Sequence, residues 1–305
     1  MRTGNRIRRA AVVLMAAAMA AASGACAPQK AEEPAVTEAA EIKAAAADKT
    51  DGETPDETGQ AAEQETQTGG GTQEILVAAA ASLQYVMEDA VQPAFEKECP
   101  DVKLKFTFDS SGKLQAQIEE GADADVFFSA AMKQMKALEE ENLIDTDSVV
   151  GLLENKIALI VPKGSEAGIT SFEDITKAEK IAVGDPQSVP VGQYAKECFE
   201  SLGMWEEVQA KASFGTNVTE VLSWVAAGSA NAGIVYLTDA TTSDQFDKVE
   251  VIGFAPEGSV TKVIYPVGIV SGSGKKEAAA RFLEYLQTEE ALAAFAEYGF
   301  SANAQ

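Results

Sequence analysis

Short apolar runs alternate with amphipathic helical stretches from residue 74 to residue 298, and this alternation most limits the folds open to the chain. Strands are expected at residues 74–80, 102–109, 126–128, 156–162, 181–183, 234–236, 249–254 and 263–270. Helices are expected at 83–99 (ended by Pro100), 113–120, 132–141, 275–287 and 290–298. A run such as Val126-Phe127-Phe128 has no polar face, so both of its sides must be covered, which helices packed on a sheet accomplish. The reading is therefore α/β, with mainly parallel sheets flanked by helices. In such folds ligands gather at the carboxyl ends of strands, where the helices begin.

Four strand-to-helix junctions share one chemistry. Ala79-Ala80-Ala81-Ser82-Leu83 and Phe108-Asp109-Ser110-Ser111-Gly112 each put serine at a helix start. Gly215-Thr216-Asn217-Val218-Thr219 is a third. The fourth lies in IAVGDPQSVPVGQY (181–194), where Gly184-Asp185-Pro186 forces a turn and a helix opens at Val191-Gly192. The first backbone N–H groups of a helix have no intrahelical acceptor, and the helix dipole places partial positive charge there. Any one of these serines would pass for an ordinary N-cap. Four such junctions at strand ends make a neutral cage of donors suited to an anion.

The two ends of the chain differ from its middle. Arg2, Arg6, Arg8 and Arg9 precede an apolar run over residues 10–22, the pattern of a secretory signal ending at Cys26 (residues 1–26). Ser23-Gly24-Ala25-Cys26 resembles a lipobox, which would make Cys26 a lipidated N-terminus; ordinary cleavage beside an incidental cysteine is the alternative. Residues 27–72 hold three lysines against eleven acids, one isoleucine, one valine and no aromatic. Such a segment buries too little apolar surface to offset its ordering entropy and is expected to be a disordered acidic tether. The rest suffices for two lobes of about a hundred residues each and carries most of the chain's net charge of −24. That surface argues against nucleic acid and anionic lipid as partners. Cys99 and Cys198 are read as two buried free thiols, with a disulfide as the alternative.

What is missing narrows the chemistry. The chain has no histidine, so it lacks a Ser-His-Asp or Cys-His arrangement and the common zinc sites. No catalytic residue, direct metal ligand or cofactor is expected. Carboxylates such as Glu139-Glu140-Glu141 read as solvated helix faces. A cage of donors needs no lysine, because surface carboxylates are screened within roughly 10 Å at ordinary salt. It also selects by protonation state. A fully ionised tetrahedral oxyanion offers only acceptors, whereas protonated phosphate brings an O–H that costs about 1–3 kcal/mol if left unpaired. Asp109 is the one nearby acid able to accept it, which keeps phosphate as a minor ligand.

The segments AAASL (79–83), FDSSGKLQAQIEEGADADVFFSA (108–130), IAVGDPQSVPVGQYAKE (181–197), GIVYLTDA (233–240), YPVGIV (265–270) and YGFS (298–301) resemble the molybdate-binding component of bacterial ABC importers. The resemblance runs from about residue 75 to 302. It implies a two-lobe periplasmic-binding-protein (flytrap) fold, with lobe one at 73–153 plus 265–305 and lobe two at 154–264. The lobes would join through two hinge crossings, near residues 153–155 and 263–265. It further implies that Ser82, Ser111 and Tyr236 bind the oxyanion through hydroxyls, and Val191 and Val218 through backbone N–H groups. Val191 is commonly alanine in that family and Asp109 commonly small. The implied ligand is molybdate, with tungstate beside it, and the implied partners are the membrane permease subunits of the importer. An extracytoplasmic monomer held to the membrane by lipid alone is expected. The alternatives are an enzyme acting on a phosphorylated or sulfated metabolite, with Asp109 or Tyr236 as its reactive group, and a sulfate or phosphate binder.

Overall fold

The computed structural model describes Thr72–Ala304. The signal segment with Cys26, and all of the tether but Thr72, lie outside the described residues. Two sheets organise what is described. The first contains β1 (Gln73–Ala80), β2 (Val102–Asp109), β3 (Val126–Phe128), β4 (Val150–Glu154), β10 (Ile264–Ile269) and β11 (Ser301–Ala302), in the order β11-β4-β10-β3-β1-β2. The second contains β5 (Ile157–Pro162), β6 (Ile181–Gly184), β7 (Ala212–Gly215), β8 (Ala232–Tyr236) and β9 (Val249–Phe254), in the order β7-β6-β8-β5-β9.

The sheets are mixed, which corrects the expectation of mainly parallel ones. β1 runs parallel to β2 and β3, and β6 runs parallel to β7 and β8. β10 is antiparallel to β3 and β4, and β5 is antiparallel to β8 and β9. The cause lies in how the chain changes sheet. It leaves the first sheet after β4, enters β5 across Asn155 and Lys156, and returns through Val263 into β10. Those passages are short and lack the crossover helix that a parallel neighbour requires. They lie side by side, with Ile264 opposite Glu154 and the Asn155 N–H donating to the Val263 carbonyl at 3.2 Å.

Helices cover both sheets: α1 (Gln84–Val86), α2 (Gln92–Glu98), α3 (Ser111–Glu119), α4 (Met132–Glu140), α5 (Pro190–Ser201), α6 (Trp205–Lys211), α7 (Val218–Ala226), α8 (Leu237–Thr242), α9 (Lys276–Leu286) and α10 (Glu289–Glu297). The expected single helix over 83–99 is instead a 3₁₀ turn, α1, a π turn at Met87–Val91 and α2. Pro93, in the first turn of α2, has no N–H to give the preceding turn, and its ring would crowd the carbonyl four residues back. The wider π turn removes that conflict. Strand alternation divides the core. Val77 and Phe128 face a layer containing Phe95, Phe282 and Phe295, while Ala78 and Phe127 face Leu114, Met135 and Leu138. Each buried phenylalanine contributes about 1.5–3 kcal/mol. Cys198 is buried and Cys99 half-buried, and both are free thiols.

Candidate functional site

Three parallel strands from each sheet end at one small cavity. Ala80, Ala81 and Ser82 follow β1, Asp109, Ser110 and Ser111 follow β2, and Ala130 follows β3. From the second sheet, Val189, Pro190 and Val191 follow β6, Val218 follows β7, and Tyr236 ends β8. All five residues read from the sequence as oxyanion contacts, Ser82, Ser111, Val191, Val218 and Tyr236, therefore line this one cavity. A larger, more open hollow beside the sheet crossings is lined by Lys156, Phe254 and Lys262 among others. It draws on the 255–263 loop and its neighbours, and none of its lining residues opens a helix. The smaller cavity is the better candidate because it alone collects the ends of parallel strands from both sheets.

The serines are not helix caps. The N-cap position of α3 is Ser110, and its side chain makes no capping hydrogen bond. Ser111 is wholly buried, and its Oγ accepts from the Ala130 N–H at 2.9 Å. The Ser82 Oγ pairs with the Tyr265 hydroxyl at 2.9 Å. Two hydroxyls on the cavity wall, Ser110 Oγ and Tyr236 Oη, are buried without a hydrogen-bond partner. An unpaired buried hydroxyl costs about 1–3 kcal/mol, which a ligand acceptor would offset. Burial, ahead of the adjacent Tyr265 phenol, holds the Tyr236 hydroxyl well above its ordinary range, so it remains a donor.

Backbone donors complete the wall. Val191 and Val218 lie in the first turns of α5 and α7, where N–H groups have no intrahelical acceptor. Among the described residues neither N–H has another protein partner. The GDPxxVPxG pattern has a steric origin: a Cβ on Gly192 would sit 1.9 Å from the Gly184 carbonyl oxygen. Only glycine lets the start of α5 press against the end of β6, and this brings Val191 to the cavity. Asp185 serves the turn, with Oδ1 accepting from the Gln187 N–H at 3.0 Å.

Asp109 is the one charged residue on the cavity wall. Its Oδ1 accepts from the Ser110 N–H at 2.8 Å, from Lys113 Nζ at 3.3 Å and from Asn217 Nδ2 at 3.2 Å. The Asn217 Oδ1 meanwhile accepts from the Glu220 N–H at the start of α7. Asp109 thus joins the two sheet units across the cavity, a role its place in FDSSG did not reveal. The Gly112 N–H adds another bond across the same seam, to the Ser188 carbonyl at 3.0 Å. Gln134 Nε2 donates to Gln193 Oε1 at 3.1 Å, and the Tyr85 hydroxyl donates to Asp244 Oδ1 at 2.9 Å. Ser110, Tyr265 and Asn155 are the site residues that sequence reasoning left unassigned. Ser110 stands beside an assigned serine in the same motif. Tyr265 and Asn155 reach the site only through distant partners.

The profile of the bacterial extracellular solute-binding protein family matches residues 75–301. A Bacillus subtilis protein with the provisional name of ABC transporter substrate-binding lipoprotein YvgL is 40% identical over 228 residues, 75% of this chain and 86% of the relative. The molybdate-binding protein ModA of Haemophilus influenzae is 37% identical over 236 residues, 75% of this chain and 90% of the relative. Among solved structures, the periplasmic molybdate-binding protein of Azotobacter vinelandii has a TM-score of 0.67 at 20% identity. It covers 75% of this chain and 100% of its own, a likeness that shows the fold.

Proposed function

This chain belongs to the bacterial extracellular solute-binding proteins, and we propose that it captures molybdate, and tungstate with it, for delivery to the permease subunits of an ABC importer. Members of this family are solute carriers rather than enzymes. The observation that carries the ligand is the composition of the cavity wall: hydroxyls and open helix starts from both sheets, with no lysine or arginine. In this reading Ser82, Ser111 and Tyr236 donate through hydroxyls, and Val191 and Val218 through backbone N–H groups. They hold the oxygens of the oxyanion, so no residue ligates the metal directly, and no cofactor takes part. The ModA relative's name supports molybdate as the ligand.

Capture follows from closure of lobe one (73–153 with 265–305) on lobe two (154–264) about their two crossings. An anion touching both lobes favours the closed form by its differential affinity for that form, and the permease reads the closed surface. The protein acts as a monomer, anchored by lipid on Cys26 and the tether; the name of the Bacillus relative supports a lipoprotein. Mass spectrometry of the mature N-terminus is expected to find acylated Cys26, and an unmodified terminus would remove the anchor. The function itself is tested by titrating molybdate into the protein and into Ser111→Ala. The variant loses a hydrogen bond to a charged group, about 1.5–3 kcal/mol, and its affinity should fall roughly tenfold to a hundredfold. Equal affinity in the two proteins would contradict the site.

A further inference from the structure

The Ser82 hydroxyl ends a short chain of hydrogen bonds whose direction is fixed at its far end. Asn155, at the first passage between the sheets, accepts from the Lys156 N–H through Oδ1 at 2.8 Å. That bond sets the orientation of its amide. The two amide hydrogens then go to Thr238 Oγ1 at 3.0 Å and to the Tyr265 hydroxyl oxygen at 3.2 Å. An amide N–H can only donate, so Tyr265 accepts there and must send its own hydrogen elsewhere. The acceptor bonded to it is Ser82 Oγ, at 2.9 Å. With Tyr265 donating in that bond, Ser82 accepts and its own hydrogen is left for the cavity.

We infer that Asn155 and Tyr265 are specificity-determining positioning residues, which fix Ser82 as a hydrogen-bond donor and thereby weaken the binding of protonated oxyanions. Ser111 is fixed in the same sense by the Ala130 N–H, which occupies an acceptor site on its Oγ. Held this way, Ser82 offers its hydrogen to the cavity and does not turn to accept from an anion bearing its own O–H; Ser110, Tyr236 and Asp109 are the wall groups still able to accept. The fold places Tyr265 for this task. The register of β10 against β4 shifts between Tyr265 and Pro266, a bulge that accommodates the proline and aims the tyrosine. The phenol is wholly buried, and its ring packs edge-on against Tyr236 and Phe300, with centroids 5.5 and 5.3 Å away. Phenylalanine can replace it with that packing kept.

This inference rests on the oxyanion-binding reading, and the test separates the two. Molybdate and inorganic phosphate are titrated calorimetrically, at mildly alkaline pH, into the full chain, Tyr265→Phe and Asn155→Asp. In Tyr265→Phe the Ser82 hydroxyl is free to turn. Molybdate affinity should fall about tenfold, the equivalent of one charged hydrogen bond, and the preference for molybdate over phosphate should narrow several-fold. Asn155→Asp puts an acceptor where the donor was, which reverses the chain of bonds and should narrow the same preference. Its added charge acts alike on two doubly charged anions and cancels in the ratio. Weaker molybdate binding with an unchanged ratio in both variants would overturn the inference, since a merely structural role predicts that result. If Tyr265→Phe fails to fold, the ratio in Asn155→Asp decides. No molybdate binding by the unaltered chain would instead defeat the proposed function itself.

Discussion

At the scale of the residue, the hydroxyls of the candidate site differ in what holds them. Ser82 and Ser111 have alike positions in their motifs, yet one is held by a tyrosine from a return strand and the other by a backbone N–H. Neither partner could be read from the serine's own neighbourhood, because Ser82 and Tyr265 stand 183 residues apart. The serines themselves were legible, since hydroxyls at strand-to-helix junctions are a local pattern. Asp239 is a second residue whose behaviour is set by distant packing. Burial raises its carboxyl to about 7, and hydrogen bonds from the Tyr236 and Asp239 N–H groups offset this only in part. One of its oxygens, Oδ2, has no partner. The folded state thus binds the Asp239 proton more tightly than the unfolded state does, and stability is lost as pH rises from about 4 towards 7. Asp239→Asn should remove that loss, on the order of 2–4 kcal/mol at neutral pH, and flatten this stretch of the profile. Thermal melts across that pH range check it, and an unchanged slope would contradict it.

Among the elements, strands with continuous apolar runs were legible to within a residue or two, because burial on both faces leaves a clear mark. β4 was not, since Gly151 interrupts its apolar residues and only Leu152 and Leu153 are buried. The first helix was misread for the opposite reason. Its amphipathic pattern continues through Pro93 while its hydrogen bonding does not. The start of α3 holds a further consequence. A Cβ on Gly112 would meet the Ser188 carbonyl oxygen at 2.2 Å, although the helix itself would accept alanine readily. Gly112→Ala should leave the melting temperature of the unliganded protein near that of the parent and weaken molybdate binding about tenfold or more. In the proposed closure the conflict falls where the lobes meet, so its cost would register as a smaller closed population. Parental affinity in this variant would show that the seam between α3 and the 185–189 turn does not take part in closure.

For the whole molecule, charge and ligand are reconciled by distance and burial. A net charge of −24 is compatible with the proposed anion because the acids among the described residues lie mostly on exposed faces, while the cavity wall offers hydroxyls and helix starts. The acid that reaches the wall, Asp109, is occupied by Lys113, Ser110 and Asn217. The two-sheet plan was legible from the alternation of elements. The antiparallel edges were not, because they follow from two short passages whose pairing is invisible in either segment alone. Across the described residues no helix is long and apolar enough to cross a membrane. In the proposed function this cavity holds a fully ionised tetrahedral oxyanion through hydroxyl and backbone N–H donors. Competitive calorimetry with molybdate, tungstate, sulfate and phosphate on the full chain tests it most directly. One site per chain is expected, filled by molybdate or tungstate in preference to sulfate, with phosphate weakest. Tighter binding of phosphate than of molybdate, or no heat from any of the four, would contradict it.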